Sequence, residues 1–348
     1  MHKTDFPLVS IIIVNFNGYS FTKQCVHSIL RNTNYPNYEI VIVDSGSTDK
    51  SSEKLAREFH REIRSKKIRI IPTKRDIGYS GANNLGFKKS KGELIVFLNN
   101  DTIVTKNWLT NLYNAFKMFY HQHVRFVQSK LLLMDDPERI DSVGHIIDPL
   151  CFIRAEGYYE VNRGQYDYFR EICVVQPAAG LTDRRTIEEI GLFDPEYFIL
   201  HEDTDFSLRL HLRGYRAILV PDSIVYHKRS PTLKSQNPYI INFHGKKNAL
   251  ITILKNYEIY NALKYFFMRI IVELAVTVWY LYKRAYEYAL STLRAIIYVF
   301  KKFSRIWHKR LKVQKMRRVR DKELFKLFDK FDPFSLIKRR CLWLSEGC

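Results

Sequence analysis

The chain has 348 residues, 46% of them hydrophobic and 14% aromatic, with 56 Lys and Arg against 36 Asp and Glu for a net charge of +20. That content excludes a disordered tail or a fibre, and the length exceeds a small binding module: it suits one large domain with an extension, or two domains. The excess positive charge has two ordinary explanations, nucleic acid and an anionic membrane, which composition alone does not separate. Five cysteines, Cys25, Cys151, Cys173, Cys341 and Cys348, are odd in number and lack paired metal-ligand spacing, which points to a reduced, cytosolic protein. The first apolar run, residues 8–14, is too short for the apolar region of a signal peptide and has no small-residue cleavage site, so the protein is expected to stay inside the cell.

Short apolar runs alternate with helical patterns in the first part of the chain. Strands are expected over residues 9–14, 39–43, 68–71 and 94–98, with helices over 21–31, 51–64 and 83–89, the signature of an α/β sheet. The first strand runs into Asn15 and the second into Asp44, at the strand C-termini where open α/β sheets form their ligand crevice. Asp44 can accept a hydrogen bond from a pyrimidine ring N–H, and Asn15 can contact base or ribose; Ser47, Thr48 and Asp49 are equally well explained as a helix cap. A third cluster, residues 75–86, holds Asp76, Gly78 and Asn84 among small and amide residues directly before a helix, where backbone can approach a ligand closely. It lacks the Gly-Lys-Ser/Thr ending of a Walker loop and does not follow the first strand as a dinucleotide fingerprint does. A Gly-rich turn with a helix cap is its plain alternative.

The fourth strand stops at Asn99, Asn100 and Asp101. A carboxylate there can hold Mg²⁺ or Mn²⁺ against a diphosphate, because these hard cations take oxygen ligands and keep phosphate and water in their shell. About a hundred residues on, His201-Glu202-Asp203-Thr204-Asp205 opens a helix. Three acids in four residues repel one another unless they act on a cation, cap the helix or remove protons. Asp203 is the candidate general base. A further strand over 220–227 ends in His227, an imidazole able to complete a metal site, although a lone histidine is more often structural.

Residues 255–319 contain neither Gly nor Pro, so long helices are expected. Residues 255–348 carry 22 Lys and Arg against 8 Asp and Glu, a net +14, which leaves +6 for the first 254. Polar positions beginning Arg269, Glu273, Thr277, Tyr280 and Arg284 recur every three or four residues, placing them on one helical stripe. The apolar stretch 265–282 nears spanning length, but Arg269 and Glu273 inside it are costly at a bilayer centre. A helix lying in the interface, basic residues toward the headgroups, is the expectation; helices that cover the preceding domain or pair with another subunit are the alternative.

In this order and spacing the clusters resemble the glycosyltransferase family 2 proteins, over about residues 8–250, and especially the rhamnosyltransferase-like branch that builds bacterial or archaeal surface polysaccharides. The resemblance implies an α/β chain of GT-A fold, a Rossmann-like mixed sheet flanked by helices, with a C-terminal amphipathic helical extension. With the division of charge, the catalytic domain is expected over 1–254, with a nucleotide-binding half to about 130 and an acceptor half from about 131, followed by a basic amphipathic membrane-associating extension over 255–348. The donor is then a nucleotide-diphospho-sugar (UDP- or dTDP-linked), the cofactor Mg²⁺ or Mn²⁺, the acceptor a glycan or lipid-linked hydroxyl, and the anomeric carbon inverts. Asn15 and Asp44 match nucleoside-contacting positions, and Asp101 matches the last acid of the family's Asp-x-Asp motif, with Asn99 in place of the first. Asn100 lies between them on the nucleotide-sugar side. Residues 76–86 match the family's Asn-x-Gly-Phe-Ala-Gly-Gly-Asn-Asn-x-Gly stretch, Asp76 replacing its first Asn and Ala82 a Gly, which bears on donor preference more than on activity. The segment from Gly180 resembles the donor and acceptor pocket lining, Glu202 and Asp203 the Glu-Asp pair whose Asp is the base, and His227 the metal-binding histidine. Gly245-Lys246-Lys247-Asn248 and the basic helices after it also look like this branch. Such an enzyme would sit peripherally on the cytoplasmic face of the cell membrane, without nucleic acid, and with homo-oligomerisation open.

Two rivals fit less of the pattern. A sugar-nucleotide pyrophosphorylase needs a Gly-rich, Arg-containing loop after the first strand, where Asn15-Phe16-Asn17-Gly18-Tyr19 stands instead. A basic nucleic-acid-binding protein leaves the strand-end acids unexplained, since they repel a phosphate backbone.

Overall fold

A computed structural model describes residues 6–229 and 237–330; Cys341, Cys348 and the tail beyond residue 330 lie outside the described residues. Four strands, β1 (Val9–Asn15), β2 (Tyr38–Asp44), β3 (Ile68–Pro72) and β4 (Leu94–Asn99), pair in parallel in the order β4-β1-β2-β3. β1, β2 and β4 are buried at nearly every position because helices cover both faces, which is why they read as unbroken apolar runs. Between them run α1 (Tyr19–Asn32), α2 (Ser51–Glu58), α3 (His60–Arg64) and α4 (Gly78–Lys89). The helix expected over 51–64 is broken at Phe59, whose backbone leaves the helical region (φ −105°, ψ 30°) and whose ring is buried. The helix expected over 83–89 starts at Gly78, so the Gly-rich cluster forms its first turns rather than a loop ahead of it.

After β4 come β5 (Thr102–Val104), α5 (Trp108–Phe119), β6 (Val124–Leu133), β7 (Ile140–Ser142), and a separate hairpin of β8 (His145–Ile147) and β9 (Ile153–Ala155). β10 (Arg170–Glu171), β11 (Ala179–Asp183), α6 (Arg184–Ile190), α7 (Glu202–Leu212) and β12 (Arg216–His227) follow. The mixed sheet runs β10-β12-β6-β11-β4-β1-β2-β3, with β11 antiparallel to β4 and β6 and β12 parallel to β6. β12 takes Pro221 at a register shift between Val220 and Ile224, where a missing backbone N–H is tolerated. Beyond the shift its end pairs with β5, setting His227 opposite Thr102.

The C-terminal helices are α8 (Pro238–Asn256), α9 (Ile259–Tyr282), α10 (Tyr286–Lys301), α11 (Phe303–Met316) and the short α12 (Asp321–Leu324). Residue 254, the expected domain boundary, falls inside α8. One apolar core joins Ile147, Tyr197 and Leu208 to Leu250, Phe266, Ile296 and Val313, so these helices are packed onto the half of the chain that precedes them. The expected direction of the polar stripe is corrected on α9: Arg269, Glu273, Thr277 and Tyr280 are turned inward and buried, not toward solvent. Apolar side chains occupy the outer face instead. Among the described residues no helix is long and apolar enough to cross a membrane.

Candidate active site

The C-terminal ends of β1, β2 and β4 carry the first polar cluster. Asp44 accepts from Asn15 Nδ2 at 2.7 Å and from the hydroxyls of Ser47 and Ser52. Asn15 is fully buried, and its Oδ1 accepts from Thr22 Oγ1 at 2.6 Å. The structure therefore puts Asn15 behind Asp44 as a brace rather than toward a base or ribose. Asp76 Oδ1 accepts from Ser45 Oγ and from the Gly78 amide, each at 2.8 Å, tying the end of β2 to the start of α4.

The second cluster follows from the pairing of β5 with β12. His227 Nε2 lies 3.3 Å from Asp101 Oδ1 and 3.4 Å from Asn99 Nδ2, while His227 Nδ1 donates to Asp141 Oδ2 at 2.8 Å. Burial alone would lower the imidazole pKa, but carboxylates on both sides, Asp101 and Asp141, raise it to about 10. Asp141 went unrecognised in the sequence because it sits 86 residues from His227. Its role is that of a buttress, fixing which nitrogen of the ring faces Asp101. With Nε2 deprotonated, His227 and Asp101 can offer a hard cation one nitrogen and one carboxylate ligand, phosphate and water supplying the rest. Among the described residues no group of three or more His, Cys, Asp or Glu could hold a metal without such help.

The third cluster opens α7. Phe198, Leu200 and His201 all have left-handed backbone, with φ of 63°, 68° and 64°, a costly arrangement for residues with a Cβ. Asn248 of α8 braces it: its Nδ2 donates to the carbonyls of Tyr197, Ile199 and Leu200 at 2.9, 2.8 and 2.7 Å. The loop so held delivers His201, Glu202 and Asp203 to a cavity of about 550 Å³. Asp203 Oδ2 lies 3.7 Å from His145 Nδ1. Burial would favour the neutral acid, but His145 beside it and the Thr204 amide hold Asp203 below the usual carboxylate range. Glu202 behaves oppositely: burial and the adjacent Asp203 charge push its pKa well up. The two neighbouring acids are thereby shifted in opposite directions, Glu202 toward the neutral form and Asp203 toward the charged one. His145 Nδ1, His201 Nδ1 and Glu202 Oε2 are buried atoms without a hydrogen-bond partner, and all three residues line the cavity.

The opposite wall comes from the helices after residue 237: Asn242 and Lys246 of α8, Arg269, Glu273, Trp279 and Tyr280 of α9, and Tyr288 of α10. Glu273 accepts from Arg269 Nε at 2.9 Å and from Lys246 Nζ. Tyr79 spans the second and third clusters. Its hydroxyl donates to Asn99 Oδ1 at 3.1 Å, and burial, reinforced by the nearby charges of Asp203 and Asp101, suppresses its ionisation.

Four expected site residues make their contacts within the scaffold. Gly180 lies in β11, where an added Cβ would meet the Phe126 ring at 2.4 Å, and it is not among the residues lining the 550 Å³ cavity. Gly78, at φ +70°, leaves room for Phe198 rather than for a ligand, an added Cβ lying 2.5 Å from the Phe198 carbonyl oxygen. Asn84 donates to the Phe193 carbonyl at 2.6 Å, and Asn100 donates to Thr22 Oγ1 at 3.0 Å. His145 and Asp141 carry no local motif, and folding alone brings them in; Tyr79, Lys246 and the stripe from Arg269 to Tyr280 lay in segments the sequence marks without showing that they meet.

Residues 10–125 match the profile described as Glycosyl transferase family 2, and residues 94–317 match that described as Glycosyl transferase family group 2. Glycosyltransferase GlyG of Streptococcus pneumoniae is 34% identical over 233 residues, covering 65% of this chain and 72% of GlyG. O-antigen biosynthesis protein RfbC of Myxococcus xanthus is 25% identical over 236 residues, covering 66% of this chain and 18% of RfbC, so the chain spans under a fifth of that relative's length. The structure of GalNAc-T7 with UDP, GalNAc and Mn²⁺ superimposes with a TM-score of 0.59 at 19% identity, covering 74% of this chain and 49% of that one. That likeness identifies the sheet and its helices as the GT-A fold.

Proposed function

The chain belongs to glycosyl transferase family 2, and from that premise we propose that it moves a sugar from a UDP- or dTDP-linked donor to a hydroxyl of a glycan or lipid-linked acceptor in cell-surface polysaccharide synthesis. The observation that carries the reading is Tyr79, which bonds Asn99 beside the Asp101–His227 pair while feeling the charge of Asp203. One side chain thus lies between the candidate cation site at the strand ends and the candidate base. The name of RfbC supports the polysaccharide setting. The basic C-terminal helices support a peripheral position on the cytoplasmic face of the cell membrane.

In this proposal Asp44 orients the nucleoside, with Asn15, Ser47 and Ser52 holding its carboxylate in one rotamer. Asp101 and His227 would hold a Mg²⁺ or Mn²⁺ ion, which when bound neutralises the charge of the departing diphosphate. Asp203, kept ionised, accepts the proton of the acceptor hydroxyl. The acceptor oxygen then bonds the anomeric carbon as the bond to the diphosphate oxygen breaks, and a one-step displacement inverts that centre. Glu202, kept protonated, donates a hydrogen bond into the same cavity without competing for the proton. His145 is a positioning residue for Asp203.

The test is transfer from a panel of UDP-, dTDP- and GDP-sugars with Mn²⁺ or Mg²⁺, in the natural chain and in Asp203→Asn. The expected result is a loss of turnover of about 10²–10⁴-fold in the variant, with donor affinity nearly unchanged. Failure of every donor, or normal turnover in Asp203→Asn, would overturn the proposal.

A further inference from the structure

The inner face of α9 lines the cavity, and its outer face is bare. Tyr260, Phe267, Ile271, Leu274 and Val278 recur at helical spacing and are 44–74% exposed. α10 repeats the pattern with Tyr286, Leu290, Leu293, Ile297 and Phe300 at 37–62%. The two helices run antiparallel, Phe266 against Phe300 at a ring separation of 5.9 Å and Tyr280 stacked on Tyr288 at 5.3 Å. Apolar exposure on this scale marks an interaction surface. The chemistry of its rim selects the partner: Lys264, Lys283, Arg284, Arg294, Lys301 and Lys302 are exposed, and Glu287 is the one exposed acid between residues 259 and 302. A second copy would bring two basic rims together, whereas anionic headgroups neutralise them.

We propose that the outer faces of α9 and α10 lie in the interface of an anionic bilayer, apolar side chains in the acyl boundary and the Lys and Arg residues at the headgroups. This reverses the orientation expected from the polar stripe, which faces the cavity. Neither helix is long and apolar enough to cross the bilayer, so both rest in its plane. The hairpin also carries Trp279, Tyr280 and Tyr288 of the cavity wall, so the cavity is brought to the lipid surface. The inference goes beyond the transferase reading and does not depend on it.

The experiment is co-sedimentation of the full chain with vesicles of phosphatidylcholine alone or with added phosphatidylglycerol. The natural chain is expected to bind the anionic vesicles, more weakly as salt rises. Ile271→Glu with Val278→Glu is expected to lower the partition coefficient about tenfold or more. Met118→Glu, at an exposed apolar site on α5, should leave it unchanged, with circular dichroism confirming that both variants fold. No binding to anionic vesicles, or unchanged binding by the double variant, overturns the proposal. So does a dimer in light scattering that the double variant converts to monomer, because the face would then belong to a second copy.

Discussion

Asp205→Asn separates the structural acid of the 201–205 cluster from its neighbours. Asp205 is fully buried; its Oδ2 accepts from Arg209 Nε and Lys255 Nζ, both at 3.0 Å, and its Oδ1 from Asn256 Nδ2 at 2.9 Å. It therefore ties α7, which carries Asp203, to α8. The substitution keeps the shape and removes the charge, leaving two buried cations short of a counter-ion, which costs about 3–5 kcal/mol. Lys255 keeps Asp194 at 3.0 Å, and Arg209 keeps the carbonyls of Ile190, Gly191 and Leu192. The loss should therefore fall near the lower end, about 3 kcal/mol. Urea unfolding at neutral pH is expected to show a lower midpoint with unchanged slope. Burial favours the neutral form of Asp205, but Lys255 and Arg209 hold its carboxyl below the usual range. The charge thus stabilises fully above the unfolded value of about 3.9 and progressively less as pH falls through the folded value. The gap between natural chain and variant should stay constant above about pH 5 and close below about pH 4. A gap under about 0.5 kcal/mol at neutral pH, or one that persists in acid, would refute the reasoning.

Three further outcomes are expected. His145→Gln should move the acid limb of the kcat profile to higher pH with donor KM unchanged, because the imidazole helps hold Asp203 ionised; an unmoved limb would remove His145 from that role. Chelation should abolish transfer and Mn²⁺ or Mg²⁺ restore it, and Asp141→Asn should raise the half-saturating metal concentration about 10–100-fold. Gly180→Ala should cost about 1–3 kcal/mol by overpacking against Phe126 while leaving the donor affinity of the folded protein intact; a lost affinity would return Gly180 to the pocket lining.

Most of the first hundred residues were legible in the chain. Parallel strands covered on both faces are continuous apolar runs, and the residue ending each run, Asn15, Asp44 or Asn99, stands at the sheet's C-terminal edge. Asp101 and His227 were readable as strand-end residues, and their adjacency depended on β5 meeting β12. The acid cluster showed three carboxylates without showing that Glu202 is pushed toward the neutral acid, Asp203 toward the carboxylate beside His145, and that Asp205 is locked between Arg209 and Lys255. Those states depend on burial and on partners up to 58 residues away.

The division of charge, balanced ahead of residue 254 and basic after it, is a property of the sequence alone, and so is the helical period of the tail. Which side of that period faces inward is not. A stripe of Arg269, Glu273, Thr277 and Tyr280 suits water or an interior equally well until Lys246 and the Leu150 carbonyl satisfy its charges. Packing of α9 on α8 and on the turn between β8 and β9 supplies those partners, so the polar stripe became a cavity wall and the apolar stripe was left outside. Periodicity determines that a helix has two faces; the partners met in the folded chain decide which one is buried.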